Sequence, residues 1–224
     1  MNNILELSNV AKTYYLKNET IKVLKDVDLK VKKGGFVVVF GPSGCGKSTL
    51  LNIIGSLDRP TGGNVLFDNI DLFSYGDNKL SEIRNRKIGF IFQFHHLLAE
   101  FSCLENIALP GLVNGACPKA VYEKAMHLLG KFGMADKKNR LPEQLSGGEK
   151  QRIAIARALI NDPLLILADE PAGNLDEENT NKLLDVFIDL KNEGGTIILV
   201  SHSLDIAKEA TNVYNLKEGR LYAM

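Results

Sequence analysis

The chain has 224 residues, enough for one large α/β domain with an inserted subdomain and a sizeable core. Its 45% hydrophobic and 24% charged residues are typical of globular proteins, and 27 basic side chains against 27 acidic ones argue against nucleic acid or anionic lipid as the main partner. No apolar run is long enough to predict a membrane span, and three cysteines without a C-x-x-C pair suit a reducing cytoplasm.

The N-terminal part of the chain has the pattern of a small sheet. Residues 4–33 alternate in short apolar runs on either side of a polar break at residues 17–20. Alternation with period two over such lengths is typical of half-buried strands. We therefore predict antiparallel strands in this region.

A glycine-rich loop follows the apolar run Phe36–Phe40 and precedes an apolar helix pattern, so it is predicted to join a strand to a helix. It matches G-x-x-x-x-G-K-[ST] at Gly41, Gly46, Lys47 and Ser48. The glycines let backbone N–H groups surround a phosphate chain, and the helix N-terminus adds its positive dipole end. The lysine would neutralise the β- and γ-phosphates, and the serine hydroxyl would hold Mg²⁺. The loop predicts nucleoside triphosphate binding.

Two tyrosines, Tyr14 and Tyr15, precede this loop. One of them could stack on an adenine ring, although an aromatic residue on a half-buried strand is the more ordinary interpretation when the pair is taken alone. Cys45 lies inside the loop, near Lys47 and a helix N-terminus, where a reactive thiolate is favoured. Alternatively, Cys45 only fills a free position and points away from the ligand.

The middle of the chain changes from strands to helices. After a turn cluster at residues 58–63, a strand is predicted at residues 64–67, a short helix at 79–86, and a strand at 88–92 that ends at Gln93. Helices are then predicted at residues 103–109, 119–132 and 148–160. We expect residues 94–158 to form an α-helical subdomain inserted in a sheet-based core.

The last of these helices begins with Ser146-Gly147-Gly148-Glu149. Serine followed three residues later by glutamate is a capping box, which is the ordinary interpretation. Two glycines are poor helix formers, however, and would let another backbone or ligand come close. The helix N-terminus is therefore also a candidate for a second anion site.

Polar or charged residues follow two apolar runs in the C-terminal third. The run at residues 164–168 is typical of a buried parallel strand and ends in Asp169-Glu170, and the run at 196–200 ends in Ser201-His202. Open α/β sheets bind ligands at the carboxyl ends of their strands. Asp169 would reach Mg²⁺, Glu170 would polarise the attacking water, and His202 would contact the γ-phosphate.

Taken together, residues 4–222 resemble the nucleotide-binding subunit of ABC transporters. Five motifs occur in order: the Walker A loop (Gly41 to Thr49), the Q-loop residue Gln93, the signature (Leu145 to Glu149), the Walker B strand (Leu164 to Glu170) and the switch residue His202. Tyr14 matches the adenine-stacking aromatic residue, and residues 174–176 match the D-loop. Two departures from the family pattern, Ala172 in place of threonine and Ser203 in place of aspartate, lie beside the catalytic edge.

The resemblance implies an α/β fold of the ABC ATPase type and an enzyme that hydrolyses ATP with Mg²⁺. The implied architecture is a single domain, 1–224. In it, residues 1–93 and 159–224 form a P-loop NTPase (RecA-like) core with an antiparallel β subdomain, and residues 94–158 the helical subdomain. The implied catalytic residues are Glu170, His202 and Gln93, and the implied metal ligands are Ser48, Gln93 and Asp169. The implied nucleotide-contacting residues are Tyr14, Gly41, Pro42, Ser43, Gly44, Cys45, Gly46, Lys47, Ser48, Thr49, Ser146, Gly147, Gly148, Glu149 and Asp176.

The resemblance also implies partners. Two copies of the chain would pack head to tail around two ATP and drive an integral membrane permease. Residues 92–98, 104–110 and 168–176 are most similar to the lipoprotein-releasing branch, with a permease of LolC/LolE type, at the cytoplasmic face of the bacterial inner membrane. MacB-type exporters, peptide exporters and FtsE-like ATPases are the near alternatives.

A soluble ATPase acting on nucleic acid is a more distant alternative, because the span from Lys47 to Leu145 leaves no room for a long coiled-coil insertion. The segment from Phe94 to Leu98 is a candidate docking groove for a permease helix, with Leu97 as an anchor. It could instead pack under the helical subdomain.

Overall fold

The computed structural model describes residues 3–17, 19–202 and 204–224, apart from the side chain of Leu204. The strands are β1 Asn3–Tyr15, β2 Thr20–Lys32, β3 Phe36–Phe40, β4 Gly62–Phe67, β5 Ile70–Asp71, β6 Ile88–Phe92, β7 Leu165–Asp169, β8 Ile197–Val200, β9 Asn212–Lys217 and β10 Arg220–Ala223. The helices are α1 Lys47–Ile54, α2 Asp77–Lys87, α3 Cys103–Val113, α4 Pro118–Lys131, α5 Gly147–Leu159, α6 Glu177–Asn192 and α7 Leu204–Lys208. None of the described helices is long and apolar enough to cross a membrane.

Two sheets organise the chain. The first is antiparallel, with strand order β2-β1-β4-β5, and the second has the order β10-β9-β3-β8-β7-β6. In the second sheet, β9, β3, β8, β7 and β6 run parallel, and β10 pairs antiparallel with β9 at one edge. The pairing of β1 with β2 confirms the antiparallel strands predicted at the N-terminus.

The parallel sheet is covered on both faces, which explains why β3 and β8 are apolar at every position and β7 at every position before Asp169. Alternate residues of β3 enter different cores: Val37 and Val39 pack in a first core with β1, β2 and α1, whereas Phe36 and Val38 pack in a second core with α3 to α6. The central strands are thus held between the antiparallel sheet and the helices. Their carboxyl ends are the edge at which the predicted site residues lie.

The predicted helices are found with small shifts at their ends. The largest shift is in α3, which was predicted to end before Pro110 but continues to Val113. The carbonyl of Pro110 accepts from the backbone N–H of Asn114, as in a continuing helix, and also from the side chains of Asn85 and Asn161. Residues 94–158, all of which are described, contain α3, α4 and all of α5 except Leu159, and they contain no strand. The exact division into subdomains stays a prediction.

Candidate functional site

The parallel register brings four predicted motifs to one edge of the second sheet. Phe92 pairs with Asp169, and both Asp169 and Val39 pair with Val200. The residues that follow these strand ends are therefore neighbours. They are Gln93 after β6, Glu170 after β7, His202 beyond β8, and the glycine loop after β3.

The glycine loop fits closely against its surroundings. At Gly41, a Cβ atom would lie 2.4 Å from the carbonyl oxygen of Leu216, so no larger residue fits without a shift of the backbone. Gly46, which immediately precedes α1, has a φ of 107°, a conformation that other residues rarely adopt. These two glycines fix the tight turn, and the turn presents the N-terminus of α1 to a ligand.

Lys47 is held inside this loop. Its side chain is only 5% exposed. Its Nζ donates hydrogen bonds to the carbonyl oxygens of Gly41 at 2.9 Å and Pro42 at 3.0 Å, and lies 3.7 Å from Oε1 of Glu170. A buried cation at a helix N-terminus makes the loop strongly attractive for an anion.

Glu170 is the point at which three motifs meet. Its Oε1 lies 2.8 Å from Nε2 of His202 and 3.7 Å from Nζ of Lys47. Its backbone has a φ of 44°, in the left-handed region, and its N–H donates to the carbonyl oxygen of Val200 at 3.0 Å. A strained backbone of this kind costs about 1–3 kcal/mol and persists where the surrounding structure holds it. The strain turns the carboxylate toward the lysine and the histidine.

Asp169 and Ser48 form the candidate metal pair. Burial raises the pKa of Asp169 above its ordinary value and the charge of Glu170 adds to this, while a hydrogen bond from Ser48 and the charge of Lys47 oppose it. A hydroxyl and a carboxylate are oxygen ligands of the kind that Mg²⁺ prefers. Among the described residues, no group of three or more His, Cys, Asp or Glu could hold a metal ion. The pair suits an ion that takes its remaining ligands from water and phosphate.

The structure separates the two tyrosines. Tyr15 is 76% exposed, whereas Tyr14 is 37% exposed and donates a hydrogen bond from its hydroxyl to Oδ2 of Asp58 at 2.7 Å. Burial and the bond to Asp58 raise the pKa of Tyr14, while a hydrogen bond from Thr49 lowers it. Thr49 belongs to the predicted phosphate loop, so Tyr14 is the tyrosine that lies beside that loop.

Gln93 is bonded to the D-loop of the same chain. Its Nε2 donates to Oδ1 of Asn174 at 3.3 Å, and Nδ2 of Asn174 donates to the carbonyl oxygen of Gln93 at 3.2 Å. Gly173 leaves room for this contact, because a Cβ there would lie 2.7 Å from Nε2 of Gln93. Sequence reasoning placed Gln93 at the metal and did not find its bond to Asn174. Its role as a metal ligand stays a prediction.

The signature residues form the N-terminus of α5. Ser146 and Glu149 form the reciprocal capping box, with Ser146 N–H donating to Glu149 Oε2 at 2.8 Å. Lys137 pairs with the other carboxylate oxygen, Glu149 Oε1. The hydrogen bonds from Lys137 and from the Ser146 backbone lower the pKa of Glu149. Because this carboxylate is already occupied, Ser146 and the glycine N–H groups are better placed than Glu149 to meet a ligand.

The N-termini of α5 and α6 lie side by side. A Cβ at Gly148 would come within 2.5 Å of Oδ1 of Asn179, so a larger residue would displace the Asn179 side chain. Asp176 caps α6 by accepting hydrogen bonds from the backbone and the side chain of Asn179. The signature and the D-loop are therefore one continuous surface in this chain.

The segment after Gln93 differs in part from the prediction. Leu97 packs against the second core, so its use as an exposed anchor is not supported, whereas Phe94 is 70% exposed. His95 and His96 both have left-handed backbones, and Arg157 of α5 donates to both of their carbonyl oxygens at 2.6 Å. Sequence reasoning missed this contact, because Arg157 lies about 60 residues further along the chain and carries no local signal.

Of three other residues named in the sequence analysis, the structure describes two, Cys45 and Ala172. Cys45 is half-buried against the first core, and its Sγ would lie 2.7 Å from a Cβ at Gly41, so the thiol faces the start of the glycine loop. Ala172 is partly buried against the second core. Ser203 lies outside the described residues.

Comparisons with known proteins agree with this geometry. Residues 24–173 match the family model described as ABC transporter. The chain is 44% identical over 225 residues to the "Lipoprotein-releasing system ATP-binding protein LolD" of Buchnera aphidicola subsp. Schizaphis graminum (strain Sg), covering 99% of this chain and 98% of that protein. It is 46% identical over 218 residues to the "Uncharacterized ABC transporter ATP-binding protein YvrO" of Bacillus subtilis (strain 168), covering 97% and 95%.

A solved structure is similar over its whole length. The ATP-binding cassette MJ0796, in a dimeric post-hydrolysis state bound to ADP and Pi, has a TM-score of 0.91 and 40% sequence identity, with coverage of 98% of this chain and 97% of that one. The predicted fold class and the predicted resemblance are confirmed.

Proposed function

The chain belongs to the ABC transporter family and is an ATP-hydrolysing, nucleotide-binding subunit, and from this premise we propose that it drives a permease that releases lipoproteins from the bacterial inner membrane. In this proposal it binds peripherally to the cytoplasmic face through a permease of LolC/LolE type. Its similarity to proteins named for lipoprotein release supports the substrate class.

The observation that carries the enzymatic part is the meeting of Lys47, Glu170 and His202 beside the Ser48–Asp169 pair. Lys47 and the N-terminus of α1 would bind the β- and γ-phosphates. The Glu170 carboxylate would orient a water and accept its proton, and His202 would hold that carboxylate and contact the γ-phosphate. Ser48 and Asp169 would hold Mg²⁺, which supplies charge neutralisation on the phosphate oxygens when it is bound.

The second half of each site would come from another copy of the chain. Ser146 and the free N–H groups at the start of α5 would meet the γ-phosphate held by the partner's loop, since a helix N-terminus favours an anion. The dimeric state of the MJ0796 cassette supports this head-to-tail arrangement. The contact between Gln93 and Asn174 would pass changes at the phosphates to the D-loop and the dimer interface.

A groove beside the Q-loop is our candidate for the permease. It is bounded by α2, β6, α3 and α5 and has a volume of about 440 Å³. Apolar residues line it, among them Leu57, Phe90, Phe92 and Val113, and Leu57 and Val113 are exposed. Exposed apolar surface of this kind marks protein interaction sites. A short cytoplasmic helix of the permease would lie in this groove, and exposed Phe94, two residues after Phe92, would add to the contact.

A second candidate function is export by a MacB-type, peptide-exporting or FtsE-like complex. The similarity to YvrO favours keeping it, because that protein is equally similar and its name does not mention lipoproteins.

Reconstitution tests the substrate. The chain would be purified with its permease, placed in proteoliposomes and supplied with an acylated lipoprotein or with the same protein lacking its acyl chains. We expect ATP-dependent release, and stimulated hydrolysis, only with the acylated form. Equal stimulation by the non-acylated protein, or stimulation only by peptides or small molecules, would favour the second candidate.

A further inference from the structure

Asp58 connects three groups beside the phosphate loop. Its Oδ2 accepts from the Tyr14 hydroxyl at 2.7 Å, and its Oδ1 accepts from Lys12 Nζ at 2.6 Å and from the Arg59 N–H at 2.7 Å. Burial opposes ionisation, but the hydrogen bonds from Lys12 and Tyr14 prevail and lower the pKa of Asp58. The carboxylate is therefore ionised at neutral pH and fixed on both of its oxygens.

Lys12 covers one face of the Tyr14 ring. Its Nζ lies 4.7 Å from the ring centroid, within the range of a cation–π contact. Lys12 is itself held in place, because its side chain is nearly buried and its Nζ also donates to the carbonyl oxygen of Arg59 at 2.7 Å. A lysine with two acceptors, one of them the Asp58 carboxylate, does not leave this face readily. A flat ligand ring can then stack only on the other face of Tyr14.

The hydroxyl end of Tyr14 lies beside the phosphate loop. It donates to Asp58, and Thr49, in the first turn of α1, is near enough to lower the pKa of Tyr14. The ring is thus fixed at its edge by the hydrogen bond to Asp58 and on one face by a cation. Its remaining surface is part of the 37% of Tyr14 that is exposed.

From this geometry we propose that Lys12 and Asp58 are positioning residues that hold Tyr14 as a one-sided stacking surface for the purine base of the nucleotide. The inference rests on the proposed nucleotide site and concerns how the base is held. An aromatic ring that is immobilised before the ligand arrives loses less entropy on binding, so the base contributes more to affinity. Stacking of a base on an aromatic side chain is a substantial interaction by itself.

The test separates the base from the phosphates. Mg-ATP and base-free inorganic tripolyphosphate with Mg²⁺ are titrated into the purified chain and into the variants Asp58→Ala and Tyr14→Phe. Each variant removes the same hydrogen bond from one side, so each should weaken ATP binding about three- to tenfold. The double variant should be no weaker than the worse single variant, because the two residues act as one unit. Binding of tripolyphosphate should not change.

Asp77→Ala is the matched control. Asp77 forms an ion pair at 3.0 Å with the guanidinium of Arg59, the residue next to Asp58. Its removal should leave the affinities for ATP and for tripolyphosphate unchanged. Equal weakening of ATP and tripolyphosphate by Asp58→Ala would show that Asp58 acts on the phosphate loop, and would overturn the inference. If the losses of ATP affinity in the two single variants multiply in the double variant, the inference is also overturned.

Two further outcomes keep the inference and the proposed function apart. If Asp58→Ala does not fold, Tyr14→Phe decides alone, because it removes only a hydroxyl. A wild-type chain that hydrolyses no ATP contradicts the proposed function. A wild-type chain that hydrolyses ATP, together with a Tyr14→Phe variant that binds ATP normally, contradicts only the role of Lys12 and Asp58.

Discussion

Replacing Glu170 by glutamine tests the catalytic edge. The amide has the shape of the carboxylate and can adopt the same φ of 44°, so we expect the backbone to be retained. It cannot accept the proton of the attacking water. Loss of a general base typically lowers the rate by a factor of about 10²–10⁴, which corresponds to roughly 3–5 kcal/mol in the activation barrier.

The charges around Glu170 set the expected effect of this variant on binding. The carboxylate lies 3.7 Å from Lys47 and raises the pKa of Asp169. Its removal takes one negative charge away from the phosphate position and lowers the pKa of Asp169 toward its ordinary value. ATP affinity should therefore be unchanged or higher. ATP-bound dimers should accumulate, because hydrolysis no longer separates them.

The measurement combines phosphate release, ATP titration and size-exclusion chromatography with Mg-ATP. Glu123→Gln is the control, because it makes the same chemical change on the exposed face of α4. Turnover in Glu170→Gln within a few-fold of wild type would refute the role of Glu170. A loss of ATP binding in parallel with hydrolysis would show instead that Glu170 supports the loop.

Three other outcomes follow from burial and charge. Burial raises the pKa of Asp169, so ionisation of this carboxyl destabilises the folded state at pH values above its ordinary pKa. Asp169→Asn should therefore raise the melting temperature of the nucleotide-free chain at neutral pH by a few degrees while abolishing hydrolysis. A lower melting temperature would contradict this. Phe94→Glu should leave melting and basal hydrolysis of the isolated subunit unchanged but prevent assembly with the permease, whereas Leu97→Glu should lower melting because Leu97 packs against the core. In a Cys117→Ser background, maleimide should modify half-buried Cys45 slowly and block ATP binding, with protection by Mg-ATP; normal ATP binding after complete modification would show that the loop tolerates the adduct.

Most of the catalytic edge could be predicted from the sequence because each motif is local. The glycine loop, Asp169-Glu170 and His202 each follow an apolar strand, and the carboxyl ends of parallel strands share one edge. The contacts between motifs could not be predicted. The bond from Gln93 to Asn174 joins residues far apart in the chain, and the contact of Tyr14 with Asp58 depends on how β1 passes the end of α1.

The surroundings of Leu97 and Glu149 could not be predicted either. The sequence left open whether Leu97 is a docking anchor or packs under the helical subdomain, and in the structure it packs against the second core. Glu149, a nucleotide contact implied by the resemblance, is engaged by the helix cap and by Lys137, and its contact with a nucleotide stays a prediction. Competition for a side chain depends on tertiary neighbours, which periodicity and motif spacing do not contain.

The most direct test of the account asks whether each ATP site is built from two chains. Lys47→Met removes the loop cation, Ser146→Arg obstructs the signature, and each variant alone should be almost inactive. Mixed in equal amounts, they should recover about a quarter of wild-type turnover, because half of the dimers are mixed and each mixed dimer has one intact site. Substantial activity of either variant alone, or no recovery on mixing although mixed dimers form, would contradict the head-to-tail ATPase.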